Sequence, residues 1–178
     1  MLNRLRGWLL GSSNQWTQNP GWPWIPGAAA WVAPTSLAIL ALEREMARRP
    51  TAGMRQRIDE GRKFLLSRAY SGGGWSHGSV KAMGYEATPY PETTGMALAA
   101  LRGVHAPETE LALRVAESFL KECRSADALN WLRIGLLAHG RLPDGYCPPA
   151  NVACRTLPET SLDLLVAGIQ KGSGVFWA

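Results

Sequence analysis

The sequence predicts an all-α domain made of repeated helical hairpins. Three similar apolar segments recur along the 178-residue chain, one-sided amphipathic segments lie between them, and no segment stands out as a strand. With 46% hydrophobic and only 19% charged residues, the composition excludes a disordered chain. The length fits one domain, which we place at 1–178.

The recurring segment occupies positions 34–42, 93–101 and 159–167. Aligning Thr35, Thr94 and Thr160 gives separations of 59 and 66 residues. Each copy is apolar nearly all round, with small residues interleaved, which predicts a helix buried on most sides. The three copies divide the chain into repeats of roughly 1–50, 51–106 and 107–178.

Two segments between the copies predict helices that lie on the surface. Met54, Ile58 and Leu65 share one face of the first, and 112–123 carries a second apolar stripe. Thr51 is placed to cap the first of these helices, and Pro107 to begin the second. A further helix is predicted over 127–139, and the sequence leaves open whether it is buried or outer.

A loop rich in glycine, proline and aromatic residues precedes each apolar segment. The three loops cover 19–27, 72–78 with its extension to 91, and 143–149 with its extension to 158. Loops of this length in a compact domain are usually functional or packed on themselves. The eight tryptophans of the chain lie mostly in or near such segments.

This alternation resembles the α/α-toroid of terpenoid cyclases and protein prenyltransferases. The QW motif of squalene–hopene-type cyclases, an outer helix followed by Gln and Gly-x-Trp, has three similar segments here. They are 6–10 with Gln15 and Gly21-Trp22, 61–65 with Gly73-Gly-Trp75 but no Gln, and Trp131-Leu132 with Asp144-Gly-Tyr146. The resemblance implies an α/α-toroid or a partial toroid, an arc of helical hairpins.

The resemblance offers two roles for the aromatic residues. Rings can tie neighbouring hairpins together, which is the role we expect for Trp8, Trp22 and Trp75. Rings can also line a ligand cavity, as in terpene cyclases, where they stabilise cations. Both roles stay open for the residues in loops that would lie over the mouth of a toroid: Trp24, Trp31, Tyr85 and Tyr90.

The acid motif of the cyclases is incomplete in this chain. Glu92 matches the central Asp of their Asp-x-Asp-Asp-Thr-Ala pattern, and Glu159 occupies the same place in the third repeat. Protonating an alkene requires a carboxylic acid supported by a second carboxylate, which neither segment supplies. The shared Pro-Glu-Thr favours a first-turn acid on the helix dipole. Catalysis is therefore left open.

Metal and acid–base candidates are few. Asp144 and Cys147 resemble the Asp-x-Cys pair of the prenyltransferases, but their spacing and place in a loop differ. Cys154 and His139 would have to complete such a site, and three cysteines without a CxxC pair favour free thiols. We predict no metal and no cofactor. His77, in the glycine loop, is a candidate ligand-binding residue or base without a partner placed by sequence.

The charge and the hydropathy of the chain argue against nucleic acid as a partner and against a membrane-spanning segment. The net charge is +5, but the arginines are scattered, so we do not expect nucleic-acid binding. No apolar run approaches the ~20 residues that span a membrane. We expect a soluble, cytoplasmic protein, with peripheral membrane contact through Trp8 as an alternative.

The chain has about half of the roughly twelve helices that complete a ring in this family. This expectation leaves three interpretations open: a fragment, a half-ring with its own caps, or one of two copies that close a ring. Because an open arc exposes apolar helices, we expect a homodimer or a complementary helical partner. The predicted function is binding of an isoprenoid or other hydrophobic molecule. The alternatives are a protein- or peptide-binding scaffold, and half of an enzyme whose catalytic residues lie elsewhere.

Overall fold

The computed structural model describes residues 20–78, 81–82, 85–86 and 88–172, which form six α-helices and one short strand pair. The helices are α1 (Val32–Met46), α2 (Ala52–Ser67), α3 (Pro91–Ala100), α4 (Pro107–Glu122), α5 (Ala126–Ala138) and α6 (Leu157–Gln170). The all-α prediction is confirmed. Between α2 and α3, β1 (Lys81–Ala82) pairs antiparallel with β2 (Tyr85–Glu86), and strands of two residues are too short to produce a visible alternation.

Helix starts follow the local sequence. The Thr51 side chain accepts a hydrogen bond from the Met54 amide, so the predicted cap of α2 is confirmed. Pro107 is the first residue of α4, as predicted. Ser125 caps α5 by accepting from the Ala128 amide at 3.4 Å. The predicted segment 6–19, with Trp8 and Gln15, lies outside the described residues.

Helix α3 is the centre of the described fold. It packs against α1, α4 and α5; α2 lies on α1, and α6 lies on α5. In α5 every residue from Ala128 to Leu136 is buried, and so is Ala126. The role of this helix, which the sequence left open, is therefore that of a core helix.

Two glycines allow α3 and α5 to touch backbone to backbone. A Cβ added at Gly95 would overlap the main chain of Trp131 and Leu132. A Cβ at Gly135 would lie 2.6 Å from the Gly95 carbonyl oxygen. The tightest helix pair of the domain thus depends on the absence of two side chains.

Two of the glycine–tryptophan loops are held in place by equivalent hydrogen bonds, each from a tryptophan amide to a threonine hydroxyl. The Trp22 amide donates to Thr35 Oγ1 at 2.9 Å, and the Trp75 amide donates to Thr94 Oγ1 at 3.1 Å. Both indoles are fully buried. Trp75 also donates from Nε1 to the Leu65 carbonyl of α2 at 2.7 Å. Thr35 and Thr94 therefore hold the loops that precede their helices, whereas Thr160 Oγ1 donates to the Thr156 carbonyl at the start of its own helix.

Trp22 packs on α2, the second helix that follows it in the chain. The guanidinium of Arg57 lies 4.1 Å from the centre of its ring, and a Cβ at Gly61 would lie 2.7 Å from its ring carbon Cζ3. Gly61 thus makes room on α2 for the indole. This packing places Trp22 between the first apolar helix and the amphipathic helix that follows it.

Helix α6 departs from the prediction. It was expected to be buried on most sides, but Val166 is its only buried residue within the part of the chain that the structure describes. Leu157 is 83% exposed and Leu164 is 68% exposed. The reason is that α6 lies at the end of the described array and, among the described helices, packs mainly on α5. None of the described helices has the length and apolar character needed to cross a bilayer.

Candidate functional site

Three rings meet beside the N-terminal ends of α1 and α3. Trp31 precedes α1, Tyr90 precedes α3, and His77 lies in the loop between α2 and α3. The His77 ring stacks on Tyr90 at a centroid distance of 5.0 Å and lies 6.4 Å from the Trp31 ring. We call these three residues, with Glu92, the aromatic edge. Trp31 is 42% and Tyr90 43% exposed, and half of the His77 side chain faces solvent.

The buried tryptophans position the exposed rings. The Trp31 amide donates to the Trp22 carbonyl at 3.0 Å, and the Tyr90 amide donates to the Trp75 carbonyl at 2.9 Å. The Val32 amide donates to the His77 carbonyl at 2.8 Å and so ties the second loop to the start of α1. The aromatic edge therefore stands on a hydrogen-bonded backbone rather than on a free loop.

Glu92 is an acid that lies beside these rings. It lies in the first turn of α3, and its Oε1 is 3.8 Å from His77 Nε2. At that separation the two groups attract each other when the imidazole is protonated, but they do not form a short hydrogen bond. The pair gives the aromatic edge one polar contact beside its apolar surface.

Glu159 serves the backbone of its own helix. Its Oε2 accepts from the Arg155 amide at 2.7 Å and the Thr156 amide at 2.9 Å, and Thr156 completes the capping box. The hydrogen bond from Arg155 is the main reason why the pKa of this carboxyl is lowered. The carboxylate is thus engaged at the start of α6.

Asp127 is a residue that the sequence reasoning missed. It lies in the first turn of α5 and is half-buried. Burial raises the pKa of its carboxyl, and the negative charges of Glu92 and Glu159 raise it further. Because Asp127 lies outside the recurring segment, no local pattern marks it as the neighbour of those two acids. The Asp127 carboxyl therefore keeps its proton to a higher pH than an ordinary aspartate does.

We expect Asp127→Asn to raise the free energy of unfolding at pH 7. Above the ordinary carboxyl pKa of 3.8 an unfolded Asp127 is ionised, while the folded one retains its proton until its raised pKa is reached. The parent protein therefore loses stability as the pH rises through that window, and the amide does not. Urea unfolding between pH 4 and pH 7 measures the difference. Asp144→Asn, in an exposed loop, is the control, and a gain for Asp127→Asn that does not grow with pH would contradict the assignment.

The other predicted ligand-binding residues are Trp24 and Tyr85. Trp24 is exposed in the loop before Trp31, next to the exposed Ile25. Tyr85 is the first residue of β2, and its side chain lies outside what the structure describes. Of the residues predicted from the loops, the structure brings together Trp31, His77 and Tyr90.

The weak metal candidates are not grouped. Asp144, Cys147 and Cys154 are exposed in the loop between α5 and α6, whereas His139 Nε2 is hydrogen-bonded to the Leu98 carbonyl of α3 at 2.9 Å. Burial lowers the pKa of His139. Across 20–78, 81–82, 85–86 and 88–172 there is no cluster of three His, Cys, Asp or Glu side chains that could hold a metal ion.

Comparison with protein-family models, with curated proteins and with solved structures gave no match in any of the three. The structure itself defines the class of the protein: an all-α domain with an aromatic edge at the N-terminal ends of α1 and α3.

Proposed function

We propose that this chain is a helical-repeat domain of the terpenoid cyclase and prenyltransferase type, forming an arc of an α/α-toroid, and that its aromatic edge binds an isoprenoid or another hydrophobic molecule. The observation that carries the proposal is the exposure of the Trp31 and Tyr90 rings on a backbone fastened by buried tryptophans. The cyclase acid motif remains incomplete, so binding without catalysis is the function proposed.

The repeated loop geometry supports the toroid-like arrangement. Thr35 and Thr94 are 59 residues apart and hold Trp22 and Trp75 through equivalent hydrogen bonds. The ring contacts of the aromatic edge join the starts of α1 and α3, and the hydrogen bond from Asn130 to the Glu159 carbonyl joins the starts of α5 and α6. The negative charges of Glu92 and Glu159 both act on Asp127, so these helix starts lie at one end of the domain. An arc of inner helices would carry its ligand-facing loops at such an end.

The chemistry of the edge favours an apolar ligand with a single polar group. Aromatic faces bury a large area at a small entropic cost and favour unsaturated or cationic groups. The Glu92 carboxylate can accept a hydrogen bond from a ligand hydroxyl or amine, and the His77 imidazole can donate or accept one. Covering these exposed rings with a hydrophobic molecule removes apolar surface from water, which makes the free energy of binding favourable. Because the rings are already held in place, little conformational entropy is lost.

A second candidate function is a protein- or peptide-binding scaffold, which also covers assembly into a homodimer. The observation that favours it is the exposed apolar side of α6, where Leu157 and Leu164 face solvent. The binding surface would then be α6 and not the aromatic edge. Half of an enzyme, whose catalytic residues lie elsewhere, is a separate alternative.

We expect Trp31→Ala combined with Tyr90→Ala to weaken the binding of a dansyl-labelled farnesol analogue by about tenfold or more. Removing two rings from a binding surface costs at least the ~1.4 kcal/mol that corresponds to a factor of ten. The emission of the dansyl group measures the dissociation constant independently of the protein's own tryptophans.

Leu164→Ala is the matched control for this experiment, since it removes an exposed apolar side chain from α6. Equal affinity of the double variant and the parent would refute a site at the aromatic edge. If the probe does not bind and Leu164→Ala lowers the mass measured by light scattering, the scaffold function is favoured instead.

A further inference from the structure

A cavity of about 460 Å³ lies between α5, α6 and the loop 148–154. Its apolar wall includes Leu129, Pro148 and Val152, and its polar wall includes Asn130, Arg133 and Asp163. None of the residues of the aromatic edge lines it. The cavity falls within the usual volume range of small-molecule sites, about 300–1,000 Å³.

Arg133 is the unusual group in this cavity. Its residue is only 5% exposed, and a buried guanidinium normally needs close hydrogen-bond partners to offset its desolvation. Nη1 has such partners, since it donates to Asn130 Oδ1 at 2.9 Å and to Asp163 Oδ1 at 2.6 Å. Nη2 reaches Gln170 Oε1 only at 3.4 Å, and Nε is buried without a partner among the described residues.

The weakly satisfied atoms share one edge of the guanidinium. Nε–H and one Nη2–H point in parallel and together can donate to a carboxylate or to a carbonyl oxygen. Asp163 balances the charge of Arg133, so this edge suits a neutral acceptor as well as an anion. Asn130 and Asp163 bind the other side of the guanidinium, where both accept hydrogen bonds from Nη1.

We propose that this cavity binds a small organic molecule that presents a carboxylate or carboxamide oxygen to Arg133 and packs an apolar body against Pro148 and Val152. Because Nε has almost no accessible surface, the ligand oxygen would reach the Nε–Nη2 edge only after the side chains over it shift. The apolar wall would cover the rest of the ligand. This site is independent of the ligand proposed for the aromatic edge.

Two cysteines allow the cavity to be tested directly. Cys154 lines it, whereas Cys147 lies in the same loop and is exposed outside its lining. Iodoacetamide labelling of each thiol, resolved by peptide mass spectrometry, reports occupancy at Cys154 with Cys147 as the internal control. We expect octanoate or octanamide to slow the labelling of Cys154 at least fivefold and saturably. Octyltrimethylammonium, which has the same chain but no acceptor, should leave the rate unchanged.

Two variants assign the effect to Arg133. In Arg133→Met the concentration for half protection should rise at least tenfold, because the donor edge is lost. Since this variant also removes buried hydrogen bonds, Asp163→Asn provides a second test that keeps the guanidinium. It should lower the half-protecting concentration of octanoate several-fold and leave that of octanamide unchanged. The proposal is overturned if both cysteines are slowed alike, if neither ligand protects Cys154, or if both variants behave as the parent does.

Discussion

Replacing Gly95 with alanine is expected to destabilise the protein by about 3 kcal/mol, the upper end of the usual cost of overpacking a core. The new Cβ would overlap the backbone of Trp131 and Leu132, which cannot move aside as a flexible side chain can. Helices α3 and α5 would have to separate, and the apolar contacts on both sides of the crossing would loosen. Urea unfolding followed by circular dichroism measures the loss.

Gly53→Ala is the matched control for this substitution. Gly53 also lies in a helix, α2, but a Cβ there would meet nothing within 4 Å. Alanine at that site should raise stability by up to ~1 kcal/mol through helix propensity alone. Opposite signs for the two substitutions would assign the effect to the crossing, whereas a stabilising Gly95→Ala would show that the helices do not touch there.

Replacing Trp75 with alanine is expected to cost about 4 kcal/mol, in the range measured for large buried aromatics. The indole is fully buried, and its loss would leave a cavity beside α2. The Leu65 carbonyl would lose the indole donor and keep only the Arg68 amide among the described residues. The Tyr90 backbone, which donates to the Trp75 carbonyl, would also lose a fixed neighbour. The same urea experiment measures the change.

Trp24→Ala is the corresponding control, because that side chain is largely exposed in its loop. We expect a change within about 0.5 kcal/mol, as for most surface substitutions. This pair of variants separates tryptophans that hold the fold from those that are free to meet a ligand. A large loss for Trp24→Ala, or a small one for Trp75→Ala, would reverse the two assignments.

The parts of the fold that the sequence predicted are those encoded locally. Apolar periodicity predicted the helices, and side chains within one turn predicted the cap at Thr51 and the start at Pro107. The glycine–tryptophan loops were visible as composition. Thr35 and Thr94 were visible as a repeated residue, although the hydrogen bonds that they make to Trp22 and Trp75 were not.

The candidate site was only partly predictable. The resemblance placed Trp31 and Tyr90 in loops over the mouth of a toroid, and Glu92 lies two residues after Tyr90, but no sequence feature brought His77 to them. Asp127 was missed because its acidic neighbours come from α3 and α6, far away along the chain. Their proximity results from the packing of three helix starts at one end of the domain.

By itself the sequence determined the helical content, the helix starts and the tryptophan-bearing loops of this protein, because these depend on neighbours within a few residues. Only the tertiary structure decided that α5 is a core helix, that α6 exposes its apolar side, and that Arg133 lines a cavity with a donor to spare. Burial and the satisfaction of polar groups depend on which segments meet across the chain. A helix as apolar as α6 is buried only to the extent that other segments cover it.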